Sequence, residues 1–162
     1  MSKPKKSIIS ISSLLLIELS FHKNSSKLKR TIIPANAINI EATIQELEQL
    51  NYLTECTIHI NPNKDPKSDF FSMLKYQIVS QAIDQDHLKE LEIFARFGAI
   101  FNAFVHAREL IADLTARSFG IAALFPLLDI RQLGSEIKIV TQTIHQEPIK
   151  TEPIATETTV IQ

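Results

Sequence analysis

The feature that most constrains the fold is an apolar stretch at residues 100–130, which reads IFNAFVHARELIADLTARSFGIAALFPLLDI. Apolar side chains recur at helical spacing down one side of its first part, at Ile100, Phe104, Ala107, Ile111 and Leu114. Phe97, Phe101 and Val105 make this stripe wider than a usual single face. The pattern predicts a helix that ends near Gly120, followed by a second apolar run that one chain of this size would struggle to bury.

Four segments upstream of this helix alternate apolar and polar residues with the period of two that is typical of strands. They lie at residues 9–21, 38–45, 52–60 and 70–83. In the first of them, one face is predicted to carry Ile9, Ile11, Leu15, Ile17, Leu19 and Phe21. Strands that precede helices without alternating with them predict an α+β fold, here a four-stranded antiparallel sheet with helices packed on one face. Residues 136–146 are a further strand candidate.

Length and composition limit the classes of protein to consider. A chain of 162 residues predicts one domain at residues 8–140, with a basic tail at 1–7 and a flexible Thr- and Glu-rich tail at 141–162. The formal net charge of −1 disfavours binding to nucleic acid. The single cysteine, Cys56, excludes an intramolecular disulfide and favours a reducing, cytoplasmic compartment.

The N-terminal lysines and the apolar residues after them imitate a secretory signal. Serines interrupt that run, Glu18 closes it, and no small-x-small cleavage site follows, so a mature strand is the favoured interpretation. No apolar run is long enough to predict insertion into a membrane.

Motifs for catalysis and metal binding are missing from the sequence. The three glycines, at positions 98, 120 and 134, form neither a phosphate loop nor a dinucleotide fingerprint, and Ser118 lacks the flanking glycines of a nucleophile elbow. Cys56 and His59 lie three apart in a predicted strand, which points them to opposite faces and disfavours a shared metal ion. We predict no enzymatic activity, no cofactor and no metal, with a small α+β enzyme left as an open alternative.

A basic loop follows the first strand, and apolar residues follow the basic ones. HKNSSKLKR at residues 22–30 is typical of a solvated turn, but Leu28, Ile32, Ile33 and Pro34 are more apolar than a connection requires. Residues 22–34 are named the crossover loop below.

Several of these features occur together, in a fixed order, in one known family. The first strand ends ELSFHKN at residues 18–24, and the crossover loop and three strands follow it. AFVHARELIADLTARSFG at residues 103–120 then leads to LFPLLDIRQL at residues 124–133. This order resembles the SecB family of bacterial protein-export chaperones, which has an acidic-Ile-Ser-Phe-acidic strand end, a helix with Tyr-Ala-Arg-Glu, and an Ala-Pro turn before a last helix. The resemblance covers residues 8–134.

The resemblance implies an ATP-independent holdase, usually a dimer of dimers, that keeps unfolded or precursor proteins export-competent and passes them to SecA. It places a client-binding groove at Leu28, Ile32, Ile33, Phe70, Phe71, Leu124, Phe125, Leu127 and Leu128. It places a subunit interface at Phe101, Phe104, Val105, Arg108, Ile111 and Ala112. For each of the groove residues, ordinary core packing is the open alternative.

The surface that faces SecA in the family would here contain Glu18, His22 and Lys75. His22 and Lys75 stand where the family has acidic residues, which argues against a strong electrostatic contact. A second hypothesis with the same fold is a chaperone dedicated to one partner, such as the antitoxin of a toxin–antitoxin pair.

Overall fold

A computed structural model of the protein describes residues 8–48, 50–61, 67–126 and 138–142. The strands are β1 (Ile9–Lys23), β2 (Ile38–Leu47), β3 (Asn51–Ile60), β4 (Phe70–Ala82) and β5 (Lys138–Gln142). The helices are α1 (Leu88–Ile93) and α2 (Ala99–Phe119), joined by a π-helical turn at Phe94–Gly98. Short 3-10 turns occupy Ala35–Ala37 and Gln85–His87.

The strands form one sheet in the order β1-β4-β3-β2-β5. The first four strands pair antiparallel, which confirms the predicted α+β fold and its four-stranded antiparallel sheet. β5 adds a fifth strand, parallel to β2, with Lys138 opposite Glu41. It lies inside the strand candidate at residues 136–146. No helix within the described ranges is long and apolar enough to cross a membrane.

The core lies between one face of the sheet and α2. Strict alternation in β2, β3 and β4 turns apolar side chains towards the helix, among them Ile40, Ile58, Leu74, Tyr76 and Ile78. α2 packs on them with Ile100, Ala103, Phe104, Ala107 and Ile111, which recur at spacings of three and four. The two alanines have small side chains, so the helix backbone can approach the sheet closely.

β1 departs from simple alternation. Two register shifts, one after Ile11 and one after Leu16, each insert a residue opposite β4 and flip the following side chains to the other face. Between the shifts, Leu15 lies opposite Gln77 on the face that points away from α2. The prediction that Leu15 shares a face with Ile9 and Ile11 is therefore wrong, because a period of two cannot reveal a β-bulge.

The helical course runs on from α1 to α2 through the π-helical turn at Phe94–Gly98. The N–H of Ala99 donates to the carbonyl of Phe94, five residues back, as in a π turn. A Cβ on residue 98 would lie 2.5 Å from the Phe94 ring, so the turn needs glycine there. The buried hydroxyl of Thr54 on β3 donates to the carbonyl of Ala95 at 3.1 Å, which fixes this turn against the sheet.

α2 ends in a glycine cap, as the sequence predicts. Gly120 has a φ of 76°, and its N–H donates to the carbonyl of Ala116 at 2.8 Å. The buried hydroxyl oxygen of Thr115 then accepts the N–H of Ala123 at 2.7 Å. These contacts define the path of residues 121–126.

Candidate functional site

The crossover loop and the segment after α2 are joined by a short parallel bridge. The N–H of Ile33 donates to the carbonyl of Leu124 at 2.9 Å, and the N–H of Leu124 donates to the carbonyl of Thr31 at 2.7 Å. Side chains on either side of this bridge differ in burial. Ile33 and Phe125 point into the core, whereas Ile32 and Leu124 are 62% and 48% exposed. The bridge thus places two large aliphatic side chains next to each other in solvent.

A cavity of about 320 Å³ lies beside this exposed pair. Its apolar walls are Leu28, Ile32, Ile33, Pro34 and Phe70, and its polar lining includes Lys29, Arg30, Asn61, Lys67, Ser68 and Asp69. We refer to the cavity together with the exposed side chains of Ile32 and Leu124 as the groove. A cavity lined by both apolar and polar side chains, beside exposed aliphatic side chains, is suited to holding a segment of an extended chain.

Aromatic packing holds the base of the groove in place. The Phe70 ring stacks on Phe21 of β1 with centroids 5.3 Å apart, and it meets Phe119 at the end of α2 at 6.2 Å. The Nζ of Lys23 donates to the carbonyl of Ser118 at 2.7 Å and lies 4.7 Å from the Phe119 ring centroid. A cation at a helix C-terminus is favourable, so this contact ties the end of β1 to α2.

Asp69 fixes the crossover loop and was missed in the sequence interpretation. Its backbone carbonyl accepts the N–H groups of Asn24 and Ser25, and its Oδ2 accepts the N–H of Lys29 at 2.7 Å. The side chain is only 9% exposed, and its Oδ1 lies 3.8 Å from the Lys29 Nζ. No hydrogen bond reaches Oδ1 from the described part of the chain. The signal in the sequence was an acidic residue at the end of the loop at residues 61–69, which is distant along the chain from the basic loop and could face it.

The predicted groove residues fall into four groups. Leu28, Ile32, Ile33 and Phe70 line the cavity, and Leu124 joins them through the bridge. Phe125 stacks on Phe104 with centroids 5.2 Å apart and belongs to the core. Phe71 lies on the opposite face of the sheet, stacked on His22 at 4.5 Å. Leu127 and Leu128 lie outside the described residues.

The predicted SecA-facing residues do share the sheet face that points away from α2. Glu18 lies directly opposite Lys75 in the β1–β4 register. The Lys75 Nζ is 4.0 Å from Oε1 of Glu55, which also accepts a hydrogen bond from the Gln77 side chain at 2.9 Å. This part of the face therefore mixes acidic and basic groups.

The predicted interface residues on α2 differ in exposure. Phe101 is 50% exposed and Val105 is also exposed, Arg108 and Ala112 are half-buried, and Phe104 and Ile111 lie in the core. Upstream, Ile93 and Phe97 continue the exposed set at intervals of four residues. β1 is an edge strand, and it also carries exposed apolar side chains at Leu15, Leu16, Ile17 and Leu19. The chain thus exposes a helix stripe and an apolar sheet edge.

Cys56 is fully buried on β3 with no exposed surface, whereas His59 points to the other face, as predicted. Desolvation raises the pKa of its thiol to about 12, so the thiolate that reacts with disulfide reagents is suppressed. We expect Cys56 to resist a chromogenic disulfide reagent at pH 8 in the folded protein and to react with one equivalent in urea. Rapid modification of the native chain, followed by absorbance, would contradict this burial.

No protein-family model matches the chain, and no curated protein matches its sequence. Among solved structures, it is similar to a SecB-like chaperone of Mycobacterium tuberculosis in complex with a ChAD peptide from the HigA1 antitoxin. The TM-score is 0.56 at 14% sequence identity, and the match covers 74% of this chain and 90% of that chain. The chain therefore has the SecB-like fold.

Proposed function

We propose that the protein is an ATP-independent holdase chaperone, which binds extended apolar segments of unfolded or precursor proteins in the groove. The observation that carries this proposal is the exposed pair Ile32 and Leu124, which the bridge holds side by side next to the cavity. A fold that fixes large aliphatic side chains in solvent exposes apolar surface that a client segment can cover. Such binding needs no nucleotide, because burial of apolar area supplies its free energy.

We also propose that the chain assembles with copies of itself in the cytoplasm, as a dimer or a dimer of dimers. Phe101 and Val105 on α2, with Arg108 and Ala112 at their side, form the surface proposed for this contact. The exposed edge of β1 offers a second contact, since an unpaired strand edge is a template for strand pairing. Phe104 and Ile111 would support the interface from within the core.

We do not place delivery to SecA at the centre of the proposal. Glu18 faces Lys75, and Lys75 lies near Glu55, so opposite charges lie close together on the proposed contact surface. A contact there would depend less on charge attraction than on shape and polar groups. Binding of purified SecA that disappears when Glu18 and Glu55 are replaced by lysine would restore delivery as a main role.

The groove can be tested by removing its exposed apolar side chains. We expect Ile32→Ser combined with Leu124→Ser to raise the amount of chaperone needed for half suppression of reduced insulin aggregation by on the order of tenfold. Light scattering measures this without nucleotide. Ile83→Ser is the matched control, because Ile83 is 59% exposed at the other end of β4. Full suppression by the double variant, with its fold intact by circular dichroism, would refute the groove.

A second candidate is a chaperone dedicated to one partner, such as an antitoxin. It is favoured by the peptide complex of the similar mycobacterial protein. A dedicated chaperone would protect one partner and leave insulin aggregation unchanged, whereas a general holdase would suppress both. The same assay with a panel of unrelated unfolded proteins separates the two functions.

A further inference from the structure

Cations surround the cavity of the groove. Lys29, Arg30 and Lys67 line it and are exposed, and Asp69 is the one acidic residue among its described lining residues. The crossover loop adds Lys27 nearby in sequence. The whole chain carries a formal net charge of only −1, so this positive charge is a local property of the groove.

The carboxylate of Asp69 does not neutralise the positive charge at the opening of the cavity. Its Oδ2 accepts the N–H of Lys29, and its Oδ1 lies 3.8 Å from the Lys29 Nζ, so one cation and one backbone dipole already compensate it. The carboxylate is also nine-tenths buried. Arg30 has no ion pair with any described residue. The charged residues among the described lining of the cavity, three cations and one carboxylate, therefore sum to a positive charge.

We propose, on the basis of the holdase function above, that the groove selects extended segments in which an apolar side chain is flanked by carboxylates. The apolar side chain enters the hollow formed by Leu28, Ile32 and Phe70. Glutamates or aspartates of the segment meet Arg30 at the rim. Because rim charges lie in solvent, they contribute to recognition and association rate more than to total affinity. Segments with lysines at the same positions are repelled.

The test uses three fluorescein-labelled ten-residue peptides with the same leucines and isoleucines. Their intervening polar positions are all Glu, all Gln or all Lys. Fluorescence anisotropy with the full chain is expected to give tightest binding for the Glu peptide, about tenfold tighter than for the Lys peptide. The difference is expected to shrink at high salt, since exposed charges are screened. Equal binding of all three, or a preference for Lys, would overturn the inference.

Substitution at the rim assigns the selectivity to named side chains. Arg30→Gln is expected to lower the affinity for the Glu peptide about threefold to fivefold and to leave the affinity for the Gln peptide unchanged. Lys89→Gln is the matched control, because Lys89 is an exposed lysine on α1, beyond the other end of β4. An equal loss for both peptides in R30Q would show a structural role for Arg30 and contradict the inference.

The failure of this inference differs from the failure of the proposed function. If insulin aggregation is suppressed but the Glu peptide binds no more tightly than the others, the holdase function is supported and the charge selectivity is refuted. If aggregation is not suppressed and no peptide binds, both the holdase function and the charge selectivity are refuted.

Discussion

Replacing Phe104 by alanine is expected to lower the free energy of unfolding by about 3–5 kcal/mol. The ring is only 4% exposed and stacks on Phe125, with centroids 5.2 Å apart and planes 21° apart. Its loss removes buried apolar surface and leaves a cavity between α2 and residues 121–126. Urea denaturation followed by circular dichroism measures the change.

Phe101→Ala is the matched control, because it removes the same side chain from the same helix three residues away. Phe101 is 50% exposed, so we expect Phe101→Ala to lower the free energy of unfolding of the monomer by less than about 1 kcal/mol. If the exposed helix stripe contacts another subunit, Phe101→Ala will also lower the assembly mass at low protein concentration, by light scattering. Equal destabilisation by the two variants would contradict the assignment of Phe104 to the core and Phe101 to the surface.

Replacing Thr115 by valine is expected to destabilise the chain by about 1–3 kcal/mol, although valine has nearly the same shape. The Thr115 hydroxyl is fully buried, donates to the carbonyl of Ile111 and accepts the N–H of Ala123, each at 2.7 Å. Valine leaves the Ala123 N–H buried without that acceptor. The loss of its hydration is then not compensated by a hydrogen bond. Thermal denaturation gives the magnitude.

The same substitution is expected to weaken client binding, since Ala123 precedes Leu124 of the groove. Thr115→Ser keeps the hydroxyl and loses only a methyl group, so it should retain binding while costing about 1 kcal/mol. Insulin aggregation assays at a temperature where both variants are folded test this. Wild-type activity in T115V would show that the hydrogen bond to Ala123 does not position the groove.

The strands and the helix could be predicted because their hydrophobic periods are local. β2, β3 and β4 keep a strict period of two, and α2 keeps spacings of three and four up to its glycine cap. The two bulges of β1 could not be predicted, because nothing in SISSLLLIE distinguishes an inserted residue from a second apolar face. In the sequence, the only sign of the π turn at Phe94–Gly98 is a glycine within a helical pattern.

The position of the proposed groove could not be derived from sequence patterns alone. Ile32 and Leu124 are 92 residues apart, and the resemblance to a known family, rather than any pattern within the sequence, placed them in one site. Periodicity could not distinguish Phe101 from Phe104, since both lie within one broad apolar stripe. Asp69 was missed because its role depends on contacts with backbone groups of the crossover loop.

The bridge between Ile32 and Leu124 also sets the order in which the groove can form. A chain emerging from the ribosome exposes the crossover loop long before residue 124 has been synthesised. Until α2 is complete and its C-terminal turn has closed, Ile32 has no neighbour at Leu124 and the groove lacks one side. A nascent copy therefore lacks the finished groove, and the client binding proposed above would begin only after synthesis has passed the helix.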